Sequence, residues 1–219
     1  MDTSLPTAGR RSYDVSSRRA AALFRRQAVL NASRELLLRH GYRATTVKAI
    51  ADRAGVSTEM IYKNFGDKKQ LMKCLYDVTT AGDDEPEPIG LRPAMQRVLA
   101  TADPYQRLTL YAEFVRTYQE RLNALLHLLA EADPEMAEIR ATVEGERLTG
   151  LRAFVGHLAD EGQLRGDVTR NAGADACWVL TSPQVFMQLT QIRNWSAVDY
   201  ERWLTDLMAA TLLDKRASP

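Results

Sequence analysis

Two short runs carry side chains whose chemistry suits phosphate and base-edge contact. In Ser57 to Asn64 (STEMIYKN), Ser57, Thr58, Tyr62 and Lys63 are hydrogen-bond donors, Glu59 is an acceptor and Asn64 is both. Met60 and Ile61 point to a core at helical spacing. In Thr45 to Lys48 (TTVK), Thr45, Thr46 and Lys48 bring hydroxyls, backbone amides and an ammonium to the start of a helix, which is a ready anion site. Lys68 stands in the first turn of another helix, where the dipole disfavours a cation and a phosphate would relieve the cost. Simpler readings stand beside these. Helix capping alone accounts for Thr45 and Ser57. Tyr42 and Phe65 suit a core better than a contact, and a lone Lys63 suits a solvated face.

Short helices must hold those side chains. From Arg18 a helical period runs through Leu23, Ala28, Leu30, Ala32 and Leu36 until Gly41 stops it. Thr45 or Thr46 caps a helix through Val47, Ile50 and Ala51 that ends at Gly55. Ser57 caps the next, ending near Phe65-Gly66, and Asp67 caps a fourth with Leu71, Leu75 and Val78 on one face. Two short helices joined by a Gly-containing link form a helix-turn-helix candidate. Its second helix, Ser57 to Asn64, would enter the DNA major groove.

The string from Arg26 to Lys73 resembles the DNA-binding domain of the TetR family of bacterial transcriptional regulators. The matching features are an Ala/Leu-rich first helix, Gly41-Tyr42, Thr45-Thr46, Ile50-Ala51, Ala54-Gly55-Val56-Ser57, Ile61-Tyr62, Phe65, Lys68 and Leu71. The rest of the chain matches that family only in length and helical character. The resemblance implies a phosphate contact for Lys68 and a phosphate hydrogen bond from the Tyr62 hydroxyl. It also implies a homodimer on a near-palindromic operator, most often a repressor, released by a small-molecule effector. One departure stands in the reading helix. Many relatives have Gly where this chain has Glu59, and His or Tyr where it has Asn64. A carboxylate is repelled by phosphates but accepts from cytosine N4, so Glu59 is expected to contribute to operator choice.

Charge distribution agrees. The 219 residues sum to a formal charge of +1. Residues 1–80 hold 15 Lys+Arg against 7 Asp+Glu, whereas residues 81–219 hold 14 against 21. A basic first third has the sign that phosphates require. The expected domains are a flexible basic arm over 1–17, a helix-turn-helix DNA-binding domain over 18–80, and a helical regulatory domain over 81–219. Arg10, Arg11, Arg18, Arg19, Arg25 and Arg26 precede or open the first helix and can grip flanking phosphates or a minor groove. A solvated tail is an equal reading. Cys74 and Cys177 have no metal or disulfide spacing and read as inert thiols in a reducing cytoplasm. Arg10-Arg11 lacks the apolar run of an export signal, and no stretch approaches the length of a membrane span.

No alternating strand pattern occurs, so the expected fold is all-α: a three-helix head joined by a fourth helix to a larger helical body. The acidic stretch Ala81 to Gly90 reads as a linker. A helical stripe from Tyr105 to Leu129 is expected to break near Glu120. Tyr105, Tyr111, Phe114, Tyr118, Phe154, His157 and Trp178 are candidates to line a ligand pocket, although core packing explains each one. Phe186, with an expected kink at nearby Pro183, and Trp203, Leu204, Leu207, Met208 and Leu212 are candidates for a dimer surface or a plain core. No Gly-rich phosphate loop, HExxH, GxSxG or paired-Cys motif is present, and no cofactor, metal or catalytic residue is expected. A small all-α enzyme or a protein-binding adaptor with a basic surface is the rival reading.

Overall fold

The computed structural model describes the backbone of residues 9–129 and 133–214, with side chains from residue 17 onward except His127 and Leu129. Helices account for all the regular structure among these residues, as the all-α expectation requires. The chain divides into two compact units between Leu75 and Tyr76.

The first unit contains α1 (Gly9–Ala44), α2 (Val47–Ala54), α3 (Thr58–Phe65) and the start of α4 (Lys68–Ala81). Helix α1 begins inside the stretch expected to be an irregular arm. From Arg10 to His40 the sequence holds neither Pro nor Gly, so nothing stops the helix from extending that far back. Arg10 and Arg11 lie outside the residues whose side chains are described. Gly41, at φ 76° and ψ 172°, breaks the helical path near the end of α1. A side chain there would be strained, so glycine is the residue that turns the chain. Gly55, left-handed at φ 69°, closes α2 by donating its N–H to Ala51 O. Helices α2 and α3 pack together, and Ile50 and Ile61 are buried along with Leu30, Leu37 and Leu71.

In the second unit, α6 (Pro104–Leu129) packs on α10 (Ala197–Leu212), and α7 (Pro134–Asp160) packs on α8 (Arg170–Leu180). The short α5 (Pro93–Ala100) braces α6. Helix α6 runs unbroken past Glu120, contrary to expectation. No Gly or Pro follows Pro104 within it, and Arg116 pairs with Glu120 one turn later, which supports the helix rather than interrupting it. Near Pro183 the chain restarts instead of kinking. Ser182 caps α9 (Pro183–Met187) by accepting from Val185 N at 3.2 Å, and a π-turn follows at Gln188–Ile192.

Buried arginines hold the irregular segments. Arg107, 1% exposed, donates to Thr101 O, Leu99 O and Gln163 Oε1 and pairs with Glu161 at 2.7 Å. The acidic linker is also ordered: Arg92 donates to Asp83 Oδ2, Glu85 O and Glu87 O at 2.6, 3.0 and 3.1 Å. Among the described residues, no helix is long and apolar enough to cross a membrane.

Candidate nucleic-acid interface

Helix α3 is built by local chemistry. The Ser57 hydroxyl accepts from Met60 N at 3.2 Å, which satisfies one of the free amides of the first turn. Ile61 and Phe65 are buried, so the helix is pinned along one side. The opposite side presents Glu59, Tyr62, Lys63 and Asn64 to solvent, with Tyr62 56% exposed. Thr58 is half-buried at the helix start. Asn64 Nδ2 donates to Met60 O at 2.7 Å, so its carbonyl oxygen is the end left pointing outward. The Glu59 carboxyl is held below the usual carboxylate range, first by its own backbone N–H and then by the Ser57 hydroxyl. It thus stays anionic at the helix N-terminus, where negative charge is favoured.

Helix α2 places its residues differently from one another. Thr46 is the true cap, its hydroxyl accepting from Ala49 N at 3.1 Å, and it remains exposed. Lys48 is exposed but paired with Asp52 at 2.8 Å, and that pair raises its pKa. Thr45 is not an available contact. It is 3% exposed, and its hydroxyl donates inward to Gly41 O at 2.8 Å and Leu36 O at 3.2 Å. Gly41 lies at the break in α1, and Thr45 N bonds Tyr42 O instead of Gly41 O, so the Thr45 hydroxyl serves that carbonyl.

Lys68 is also turned inward. Its ammonium donates to Tyr42 O at 2.9 Å and Thr45 O at 3.2 Å and lies 3.9 Å from the Tyr42 ring centroid. The start of α4 is capped reciprocally: Gln70 N donates to Asp67 Oδ1, and Asp67 N donates to Gln70 Oε1. Arg18 and Arg19 are exposed on α1. Arg26, expected among the arginines that grip DNA, instead donates to Cys74 Sγ at 3.1 Å and lies 4.7 Å from the Phe65 ring centroid. Only the pairing of distant residues identifies that role.

In the second unit Tyr111, Tyr118 and Phe154 are buried, whereas Tyr105, Phe114, His157 and Trp178 are half-buried. Tyr111 stacks on Phe154 with centroids 4.1 Å apart, and Phe114 tilts against Tyr118 at 5.4 Å. The Tyr105 hydroxyl donates to Asp206, and His157 Nε2 lies 3.2 Å from Leu99 O. Trp178 lies under the Arg147 guanidinium. A cleft of about 270 Å³ opens elsewhere, lined by Tyr76, Leu126, Arg140, Val143, Glu144, Met187 and the glutamines Gln184, Gln188 and Gln191. Its wall includes the π-turn, a feature common at functional sites. Within the aromatic stripe of α6, Tyr111 packs against Phe154 of α7.

The dimer candidates divide likewise. Phe186, Leu204, Met208 and Leu212 are buried within their own chain, with Phe186 edge-on to Tyr200 at 5.0 Å. The wide apolar stripe of α10 is consumed mostly by α6 and α8. Trp203 is half-buried and Leu207 is 36% exposed, while Val179 on α8 is exposed as well.

Comparison with known proteins adds a separate line. The model of the family described as bacterial regulatory proteins, tetR family, matches residues 29–75. YvkB of Bacillus subtilis, an uncharacterized HTH-type transcriptional regulator, is 47% identical over 47 residues, which are 22% of this chain and 25% of that protein. The chain therefore spans a quarter of YvkB in that match. The HTH-type transcriptional regulator TtgR of Pseudomonas putida is 27% identical over 200 residues, covering 82% of this chain and 87% of TtgR. Among solved structures, SmeT in complex with triclosan superposes with a TM-score of 0.64 at 16% identity, covering 89% of this chain and 94% of that one. SmeT is the repressor of the Stenotrophomonas maltophilia multidrug efflux pump SmeDEF. At that identity the likeness concerns the fold alone.

Proposed function

We propose that this chain is a transcriptional regulator of the TetR type, a repressor that grips a near-palindromic operator as a homodimer; the match of residues 29–75 to the tetR-family model and the likeness to TtgR over 200 residues support that reading. Residues 18–80 form the DNA-binding part and 81–219 the regulatory part. The observation that carries the reading is the exposed row Glu59, Tyr62, Lys63 and Asn64 on a helix whose other side is buried. A row of polar side chains on a rigid short helix suits base edges in the major groove. Thr46, Lys48 and Ser57 lie at the adjoining helix starts and serve the flanking phosphates. Arg18 and Arg19 extend the grip along α1.

A single helix-turn-helix buries little surface, so a two-fold pair reading two half-sites is needed for affinity. The exposed apolar residues Val179, Trp203 and Leu207 support α8 and α10 as the surface that meets a second copy. The effector is a small molecule held in the cleft beside Tyr76, a residue of α4. Occupation there shifts α4, whose first turn carries Lys68, and so couples the two sites. SmeT binding triclosan supports the general case.

Selection of duplexes from a random pool with the purified chain tests the reading, followed by a salt titration and a compound screen for release. Enrichment of a near-palindrome and a steep log–log salt dependence are expected. Absence of binding to random duplex at low salt would overturn it.

A further inference from the structure

We propose that the cleft beside the π-turn takes an amphipathic organic cation, a protonated amine on a two-ring apolar body, with Glu144 as its charged partner; this rests on the reading of that cleft as the effector site. Leu126, Val143, Pro183, Met187 and Ile192 give the cleft, of about 270 Å³, an apolar wall. Two charged residues also line it, Arg140 and Glu144, one turn apart on α7. Glu144 is held by one oxygen. Its Oε2 takes both bonds from Arg147, from Nε at 3.1 Å and from Nη2 at 2.6 Å, and its Oε1 has no bond among the described residues. Arg147 is committed to α8 as well. Its Nη1 donates to Trp178 O at 2.7 Å and to Thr181 Oγ1 at 3.0 Å, and the guanidinium lies 4.9 Å from the Trp178 ring centroid. Of this ion pair, only the carboxylate lines the cleft.

The local field selects for positive charge. Tyr76 lines the same cleft, and its hydroxyl responds to that field. Its pKa is pushed up to about 12, first by burial and then by the negative charge of Glu144. Asp77 adds to the rise, Arg147 opposes it less than Glu144 drives it, and Arg140 is not among the causes. The potential beside Tyr76 is therefore negative in spite of the nearby arginines. The Glu144 side chain is only 24% exposed, and an opposite charge beside a partly desolvated carboxylate gains more than it would in water. Arg147 already orients that carboxylate, so a ligand ammonium meets Oε1 with little further ordering to pay. The Tyr76 ring adds an aromatic face, which attracts a cation. An anion would be repelled by Glu144, and Arg140 already has a partner.

Isothermal titration with three para-substituted biphenyls tests the site: phenylbenzylamine as the cation, phenylbenzyl alcohol as the neutral donor and biphenylcarboxylate as the anion. The amine is expected to bind the wild-type chain about tenfold tighter than the alcohol, with the carboxylate weakest, because a hydrogen bond between charges is stronger than one to a neutral group. Glu144→Gln should bring the amine to the affinity of the alcohol and leave the alcohol unchanged, which shows that the cleft is intact. The order of the three compounds on the wild type decides the question without any variant. An alcohol or carboxylate that binds as tightly as the amine would overturn the cation site and leave the effector reading standing, as would an amine whose affinity survives Glu144→Gln. If the amine binds through Glu144 but leaves the affinity for random duplex unaltered, the effector reading falls and the cation site stands. If none of the three binds at millimolar concentration, both fall.

Discussion

The Tyr111 and Phe154 rings stack with centroids 4.1 Å apart and planes 13° from parallel, joining α6 to α7. Both rings are buried, and burial drives the Tyr111 hydroxyl well above its ordinary pKa. Such a pair contributes area burial and an aromatic contact. Phe154→Ala is expected to cost about 3–5 kcal/mol in urea denaturation. A cost below about 1 kcal/mol would mean that the ring borders open space.

Lys48 is paired with Asp52 before any DNA arrives. Asp52→Asn frees the ammonium and removes a negative charge from the same surface. Affinity for random duplex at low salt should rise about threefold, with the salt slope steepening toward one further contact. Equal affinity and slope in an anisotropy titration would place Lys48 away from phosphates.

Glu59 is held anionic by its own N–H and by Ser57, so it is a carboxylate at neutral and mildly acidic pH. As a lowered carboxylate, it gains a proton only below its ordinary range. Glu59→Gln should therefore strengthen binding to random duplex and flatten the preference for the selected operator. If Glu59→Ala selects the same sequence as the wild type, Glu59 has no part in operator choice.

Burial pushes the Cys177 thiol up to about 12. In the unfolded chain a thiol ionises near about 8.5. Between those values the unfolded chain loses its proton first. The thiol's contribution is therefore complete below about pH 8.5 and declines as pH rises, by up to about 1.4 kcal/mol per unit. Cys177→Ala should show a shallower alkaline decline in urea midpoints between pH 9 and 11. Tyr76, pushed up to about 12 by burial, adds a second decline above its ordinary value and remains in both proteins. Identical slopes would show that Cys177 is not protected in the native fold.

The helices of the head could be read from the sequence because their signals are local. Gly41 and Gly55 stop helices through backbone freedom, and Ser57 starts one through a hydroxyl three residues from its partner amide. The exposed row on α3 follows from periodicity once Ile61 is taken as core. Tertiary structure alone decided what covers each apolar or charged group. Periodicity marks a face but carries no information about the neighbour, which comes from far along the chain. So Thr45 turned inward to Leu36 O, and Lys68 found carbonyls of residues more than twenty positions earlier. In the body, Leu204, Met208 and Leu212 went to their own chain's core, and a cleft opened beside Gln188 and Gln191 of the π-turn. A chain specifies its turns through neighbouring atoms, but desolvation assigns partners only when distant helices compete for the same surface.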